Sequence, residues 1–311
     1  MSFFSVVIPL YNKEKYIEDT LKSVLNQSFQ DFEIIIVDDG STDDSYKMAA
    51  SFKSEKIKSL KQENQGVSIA RNNGIDYATS NYIALLDADD LWHNNHLIEL
   101  KKQIGLFPDA GLFCNNYEIF YRENFSKKAN FNFDYKNDCL IVEDYFKASM
   151  INTVALTSAV AFSKEKFKIL GGFKPHLKTT QDTDLWIRFA LNYKVSFNPV
   201  VTMSYKANID NSLSKKELNT IRYDFINSYL QEEKGNRSLK MYLDINRYAV
   251  ALRSKIYGPK WVYEKLKSDI EKSNLNKKQR YLLKLPVFLL KFMKSFHNFL
   301  IKKGIYLTSY S

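Results

Sequence analysis

Three carboxylates within four positions, Asp87, Asp89 and Asp90, stand where a short apolar run, Tyr82 to Leu86, comes to an end. The run reads as a buried strand. Like charges this close repel, and each raises the pKa of its neighbours unless a cation or hydrogen bonds offset them. A hard divalent ion with oxygen ligands, Mn2+ or Mg2+, is one economical solution. A solvated acidic turn capping the helix that starts near Asn94 or Asn95 is the other. The cluster alone leaves the two readings even.

The elements that must position the cluster tilt the balance. Phe4 to Leu10 is a near-continuous apolar run, the mark of a strand covered on both faces, and Tyr11-Asn12 follows it. Ile17, Leu21, Val24 and Leu25 then share one helical face. A second buried strand, Glu33 to Val37, runs into Asp38-Asp39-Gly40-Ser41-Thr42-Asp43, with a helix from Asp44 to about Phe52. Ile57 to Leu60 fits a third strand, and Val67 to about Ala78 fits the helix before the strand that ends in the cluster. Strand and helix alternating with short connections predict an α/β fold with a mostly parallel, Rossmann-like sheet flanked by helices. Ligands of such sheets gather beyond the carboxyl ends of the strands. Tyr11-Asn12, Asp38-Asp39 and the Asp87–Asp90 cluster all lie at such ends, and connection alone does not require carboxylates along one edge.

Further on, Asn95 to Phe107 reads as helix, Ala110 to Tyr121 as strand, and residues 122–150 as an excursion rich in Asn, Lys, Phe and Tyr that carries specificity. Asn152 to Phe162 is apolar and β-branched, Gly171-Gly172-Phe173 forms a turn, Asp182 to Leu191 is helical with Trp186 in the core, and Val195 to Tyr205 returns a strand to the sheet. Beyond about residue 215 the chain is Lys- and Tyr-rich and mainly helical. The expected division is residues 1–215 as one domain and residues 216–311 as a helical, basic C-terminal extension. The histidines, His93, His96, His176 and His297, show no ligand spacing and are expected at the surface.

In this order, the motifs resemble a family 2 glycosyltransferase with the GT-A fold, of the bacterial surface-polysaccharide type. Ser5 to Asn12 resembles the opening strand of that family, and Val37 to Asp43 its nucleotide-binding turn. Asn64-Gln65-Gly66 with Ala70-Arg71-Asn72-Asn73-Gly74 resembles the segment leading to the metal strand, and Asp87-Ala88-Asp89-Asp90 the DxD motif. Gly171-Gly172-Phe173 and Asp182 to Arg188 resemble the acceptor side. The resemblance covers residues 3–215 or so. It implies an inverting transfer of a sugar from a nucleoside diphosphate sugar, most often UDP-linked, to a hydroxyl of a glycan or lipid-linked acceptor. Carried over, Pro9, Tyr11 and Asp39 would hold the base, with Asp39 accepting from the N3–H of a uracil. Arg71 would sit near the diphosphate or brace the metal loop. Asp87 and Asp89 would address ribose and metal, Asp90 would be an alternative metal ligand, and Asp182 would be the catalytic base. Two positions depart from the family pattern: Gln181 replaces the usual Glu, and Tyr205-Lys206-Ala207-Asn208 stands where many relatives carry a His. The second departure implies either a lower metal affinity or a Lys206 that assists the diphosphate directly. Each role has a plainer counterpart: Asp182 as a helix cap, Arg71 as a partner of a cluster carboxylate, and Asp38, which takes the turn-forming role, as a structural residue.

Charge is unevenly placed. The chain is +10 overall, yet residues 220–311 carry 19 Lys/Arg against 7 Asp/Glu, while the first 219 residues carry 26 against 28. Lys284, Lys291, Lys294, Asn298 and Lys302 fall close to one helical face, with Leu289, Leu290, Phe292, Met293, Phe296, Phe299 and Leu300 over most of the rest. Pro286 suits the first turn of that helix. The interspersed lysines argue against a bilayer span. They fit a helix lying on an anionic membrane surface, or one packed on the body or on a second subunit. Cys114 and Cys139 form no disulfide framework, which suits a reducing cytosol, and no signal peptide is expected. The expected location is cytoplasmic, peripheral on the inner face of the membrane. A nucleic-acid binder would leave acidic strand ends that repel phosphate, so none is expected as partner. A dinucleotide oxidoreductase lacks its G-x-G-x-x-G, and a sugar-nucleotide pyrophosphorylase its Gly-rich loop. A scaffold that binds nucleotide without transferring sugar is the harder rival, because Gln181 and Asn208 are changes it would produce.

Overall fold

Apolar runs buried on both faces place the first strands at the centre of a sheet, β1 (Phe4–Leu10) and β2 (Phe32–Asp38) being buried at nearly every position. The computed structural model describes residues 1–122, 125–206 and 216–305. Helix α1 (Ile17–Leu25) joins β1 to β2, α2 (Ser45–Ser51) joins β2 to β3 (Ile57–Lys61), and α3 (Val67–Tyr77) leads to β4 (Tyr82–Leu85). After the acidic turn come β5 (Leu91–Trp92), α4 (His96–Leu106), β6 (Leu112–Arg122), β7 (Phe125–Lys128), β8 (Leu140–Ile141) and α5 (Tyr145–Ala148). A 3-10 turn (Thr157–Ala159) opens β9 (Val160–Ser163), followed by α6 (Lys164–Ile169), α7 (Gln181–Asn192) and β10 (Val195–Lys206).

The strand order is β3-β2-β1-β4-β9-β6-β10-β5, with β7 on β6 and β8 on β10. From β3 to β4 every pairing is parallel. Beyond β4 the sheet is mixed: β9 runs antiparallel to both β4 and β6, β10 is parallel to β6, and the short strands β5, β7 and β8 are antiparallel. The mostly parallel sheet expected from the sequence is thus the first half of a larger mixed one. Strand order reverses between β1 and β4, so the crevice where such folds bind ligands lies where Leu10 and Leu85 end.

Helix α3 lies close on this half-sheet because Gly74 has no side chain. A Cβ there would come within 2.6 Å of Val7 Cγ1 and 3.0 Å of Val37 Cγ2. The aromatic excursion is ordered by packing, with the rings of Phe131, Phe133 and Tyr135 each 5.0–5.4 Å from that of Phe197 on β10. Of the stretch Asn152 to Phe162, only residues from Val160 onward form strand.

The C-terminal region is helical: α8 (Asn219–Asn227), α9 (Glu232–Gly235), α10 (Arg237–Tyr257), α11 (Lys260–Asp269), α12 (Lys277–Lys284) and α13 (Val287–Lys302). It attaches to the sheet domain by side chains, the Tyr229 hydroxyl donating to Asp184 Oδ1 at 2.8 Å and Ser238 Oγ to Asp144 Oδ2. The expected boundary at residue 215 lies outside the described residues. The single basic helix expected at the end is broken at Leu285–Pro286, so Lys284 belongs to α12 and Pro286 is the N-cap of α13. Helix α13 buries little. Leu290 is 5% exposed, whereas Phe288, Phe292, Phe296 and Phe299 are 69%, 66%, 50% and 53% exposed. No described helix is long and apolar enough to cross a membrane.

Candidate active site

The turn after β4 arranges its three carboxylates differently. Asp87 accepts from Arg71 Nη2 at 2.6 Å, and its backbone N–H donates to Ser158 Oγ at 3.0 Å. Asp89 is ion-paired with the Lys13 ammonium. Asp90 is buried and both of its oxygens are engaged, Oδ2 by Ser158 Oγ at 2.6 Å and Oδ1 by the Lys206 N–H at 3.3 Å. Thr20 Oγ1 on α1 donates to the carbonyls of Ala88 and Asp90 at 3.1 and 3.0 Å. The turn is therefore held from α1, the 3-10 turn and β10. Side-chain exposure separates the two accessible acids, 35% for Asp87 and 16% for Asp89. Burial raises the pKa of Asp89; Lys13 opposes the shift and the charge of Asp87 adds to it. Burial, then the charges of Asp89 and Asp87, push Asp90 well above the usual carboxylate range. In this arrangement Asp90 braces the turn, and Asp87 and Asp89 are what it presents.

The nucleotide-side residues meet at the neighbouring strand ends. Asp39 is buried and accepts from Gln62 Nε2 (2.8 Å), the Gln65 N–H (2.8 Å) and the Gly66 N–H (2.9 Å). A carboxylate offers about four acceptor positions, so one remains for a base N–H. Asp38 accepts from the Ser41 N–H at 3.3 Å, in keeping with a turn-forming role. Tyr11 is 45% exposed beyond β1, and Pro9 is half-buried beside it. Asn12, with φ of 51°, accepts from the Thr42 N–H at 2.8 Å and ties the β1 loop to the β2 loop. The residues of Ala70 to Gly74 divide the work between them. Arg71 holds Asp87, Asn72 makes a two-way pair with the backbone of Phe173 (2.8 and 3.0 Å), and Asn73 holds Gln62, which holds Asp39. Arg71 is buried, with its guanidinium carbon 5.3 Å from the Phe173 ring centroid. Its Nε and Nη1 have no partner among the described residues. Buried donors left unpaired are costly, and an anionic ligand would satisfy them. Arg71 thus braces the turn through Asp87.

Helix α7 begins under strain. Thr180, its N-cap, has φ of 62°, and with Asn12 it is one of two non-glycine residues at positive φ among those described. Such conformations cost energy and cluster at functional sites. Asp182 follows in the first turn of α7; it is half-buried, and among the described residues its Oδ1 accepts only from Thr183, the N–H at 2.7 Å. It is not the cap. Asp184, two positions on, has no solvent exposure and is bound by Lys174 (2.8 Å), Arg188 (2.6 and 2.9 Å) and Tyr229, while Arg188 also donates to the Leu170 and Gly172 carbonyls. That network fixes α7 to the Gly171-Gly172 turn, both glycines lying at positive φ. Gln181 is buried, and its Oε1 has no partner among the described residues. Tyr205, on β10, is half-buried, and its phenol is pushed up to about 12, by burial first and then by the charges of Asp90, Asp89, Asp87 and Asp182. Burial raises the Tyr242 pKa as well, with a contribution from Asp182. Asn208 lies outside the described residues.

Sequence reasoning did not single out Lys13, Ser158 or Gln62. Lys13 adjoins Tyr11-Asn12 and was within reach of a motif reading, whereas Ser158 is 68 positions from Asp90 and carries no local signal. His96 corrects the expectation that the histidines are superficial. It is fully buried, stacked on Trp92 at 4.2 Å and hydrogen-bonded to Thr202 Oγ1 at 2.7 Å, and burial lowers its pKa to about 3.

Asp87 and Asp89 are hard oxygen donors, each neutralised here by a basic side chain. No group of three or more His, Cys, Asp and Glu able to hold a metal gathers among the described residues. This donor set fits an ion bound through one or two carboxylates plus substrate phosphates, as Mg2+ commonly is, better than a permanent protein cage.

A parallel half-sheet continued by mixed strands and flanked by helices, with a carboxylate turn at its switch point, is a GT-A type fold. The sequence matches the family described as Glycosyl transferase family 2 over residues 5–169, and the chain belongs to that family. It is 30% identical over 188 residues to the putative teichuronic acid biosynthesis glycosyltransferase TuaG of Bacillus subtilis (strain 168), covering 59% of this chain and 70% of that one. Three relatives matched at 46%, 39% and 35% identity are covered over only 16%, 38% and 17% of their length. The S. aureus TarS 1-349 structure in complex with UDP-GlcNAc superposes with a TM-score of 0.66 at 17% identity, over 99% of this chain and 93% of that one. The mannosyltransferase PcManGT from Pyrobaculum calidifontis, in complex with GDP-Man and Mn2+, gives 0.58 at 18% identity, over 97% and 88%.

Proposed function

We propose that this glycosyltransferase moves a sugar, with inversion, from a UDP-linked donor to a hydroxyl of a glycan or lipid-linked acceptor in cell-surface polysaccharide synthesis. The observation that carries the reading is the carboxylate turn at the end of β4, with Asp87 held by Arg71 and Asp89 by Lys13, in a chain of Glycosyl transferase family 2 that also sets a half-buried acid, Asp182, in the first turn of α7. A single displacement needs charge stabilisation on the leaving side and a base on the acceptor side, and these groups supply one on each. The UDP-GlcNAc of the TarS structure and the teichuronic acid role named for TuaG support the donor and product classes.

Pro9, Tyr11 and Asp39 hold the base, and Arg71 turns its unpaired donors to the diphosphate. Asp89 and Asp87 would hold Mn2+ or Mg2+, whose charge stabilises the departing diphosphate; the Mn2+ of the PcManGT structure supports this. Asp182 accepts the proton of the acceptor hydroxyl as that oxygen bonds to the anomeric carbon, because the hydroxyl is too weakly acidic to ionise first. The glycosyl–phosphate bond breaks in the same step, and its electron pair leaves on the phosphate oxygen. Strain at Thr180 and the Asp184 network fix the direction in which Asp182 is presented. Residues 1–215 form the catalytic unit and residues 216–311 a helical appendage. The exposed aromatic side chains and lysines of α13 lie on the anionic inner face of the membrane, near a lipid-linked acceptor.

Incubation of the protein with UDP-, GDP- and dTDP-sugars and Mn2+ tests the reading. Slow hydrolysis confined to UDP-sugars is expected. Hydrolysis of none, or of GDP- or dTDP-sugars in preference, overturns it.

A further inference from the structure

The Lys13–Asp89 pair lies between two fixed backbones. Lys13 follows Asn12, which is clamped to Ser41 and Thr42, and its own N–H donates to Ser45 Oγ at 2.6 Å. Asp89 sits in a turn held by Thr20 and Ser158. The part free to move is the Lys13 side chain, a flexible stem with a compact ammonium at its end. Its exposure is 21% and that of Asp89 is 16%, so the pair is sheltered yet open to solvent. The Tyr16 ring offers the ammonium a second seat. Lys13 Nζ is 5.8 Å from its centroid and Lys206 Nζ is 5.3 Å from it, which gathers two cations beside the acidic turn.

We propose that Lys13 is a tethered counter-cation of Asp89. In the nucleotide-free protein it neutralises the carboxylate and competes with a divalent ion for it. When a diphosphate arrives, Lys13 exchanges the carboxylate for the phosphate oxygens, alongside Lys206 on the Tyr16 ring, and Asp89 is released to the ion. The ion is thus admitted with the donor rather than ahead of it. This deepens the functional reading above and rests on Asp89 as an ion ligand. An ion that must displace Lys13 binds with its intrinsic affinity multiplied by the fraction of molecules in which Asp89 is free.

Titration of Mn2+ alone, followed by electron paramagnetic resonance of the free ion, reads this directly in the full chain. Lys13→Gln is expected to bind Mn2+ about tenfold more tightly than wild type, as for a carboxylate free about a tenth of the time. Lys13→Arg keeps the charge and should bind like wild type, and Lys13→Gln with Asp89→Ala should lose the gain. With Mn2+ saturating, Lys13→Gln should bind UDP a few-fold more weakly. Opposite effects on ion and nucleotide are the signature, because a lysine that only steadied its loop would weaken both when removed. Lys13→Gln with wild-type or weaker Mn2+ affinity overturns the proposal. If that occurs while UDP binding in wild type still requires Mn2+ and Asp89, only the role of Lys13 fails; if UDP binding needs neither, the functional reading fails with it.

Discussion

Asp182 keeps one carboxylate oxygen without a protein hydrogen bond among the described residues, and it stands two positions before Asp184 and its buried network. The two acids of α7 therefore divide: one is saturated and holds the helix, the other is half-exposed and free to take a proton. Asp182→Asn preserves shape and removes basicity. Transfer should fall by about 100-fold or more, the range of a lost general base, while UDP affinity stays within a few-fold. Single-turnover assays beside calorimetry would check this, and a variant that keeps most of its rate would reduce Asp182 to a first-turn acid. At this scale the sequence is most readable where function sits in one short segment at a strand end, as in Asp38-Asp39 and Asp87 to Asp90. It is least readable where a site residue serves another from afar. Ser158 bonds Asp87 and Asp90 from an unremarkable apolar stretch, and Gln62 reaches Asp39 because β3 pairs with β2 in a register that sets Lys61 opposite Asp38.

Strands β1, β2 and β4 were legible because burial on both faces demands nearly unbroken apolar runs, and the polar residues inside those runs, before Asp38 closes β2, are Ser5 and Glu33. These two are paired: Glu33 on β2 accepts from Ser5 on β1 at 2.5 Å, from Thr79 beyond α3 at 2.7 Å, and from Lys58 on β3 at 2.7 Å. Burial alone would raise the Glu33 pKa, but the bonds from Lys58, Ser5 and Thr79 outweigh it and lower it to about 2. A depressed carboxylate stabilises the fold above its unfolded pKa, and that stability is lost as pH falls through the folded value. Glu33→Gln should therefore cost about 1–3 kcal/mol at neutral pH, as expected for a damaged buried network. Urea melts at several pH values should show the gap to wild type closing between about pH 4.5 and about 2. A gap constant with pH would mean that the charge is irrelevant. The second half of the sheet was less legible for a physical reason. β5 and β8 have two residues each, β9 has four, and pairing rather than periodicity defines them.

At the scale of the whole molecule, a near-neutral sheet domain is joined to helices that end in a basic, aromatic surface. Leu283 and Leu285 are buried, so α12 is part of the body and the separable element is α13. Removing residues 287–311 should release the protein from anionic vesicles while leaving UDP binding intact. In the full chain, salt should weaken vesicle binding without abolishing it, because apolar insertion is not screened. Sedimentation at low and high salt decides this, and full-length protein that stays in the supernatant would show α13 to be a packing element. The account rests most heavily on one coupling, that the acidic turn at the switch point receives a nucleoside diphosphate through a divalent ion. Calorimetry of UDP binding with and without Mn2+, in wild type and in Asp89→Ala, measures that coupling. Binding in wild type only when Mn2+ is present, and its loss in Asp89→Ala, is the predicted result; equal binding with and without the ion would contradict it.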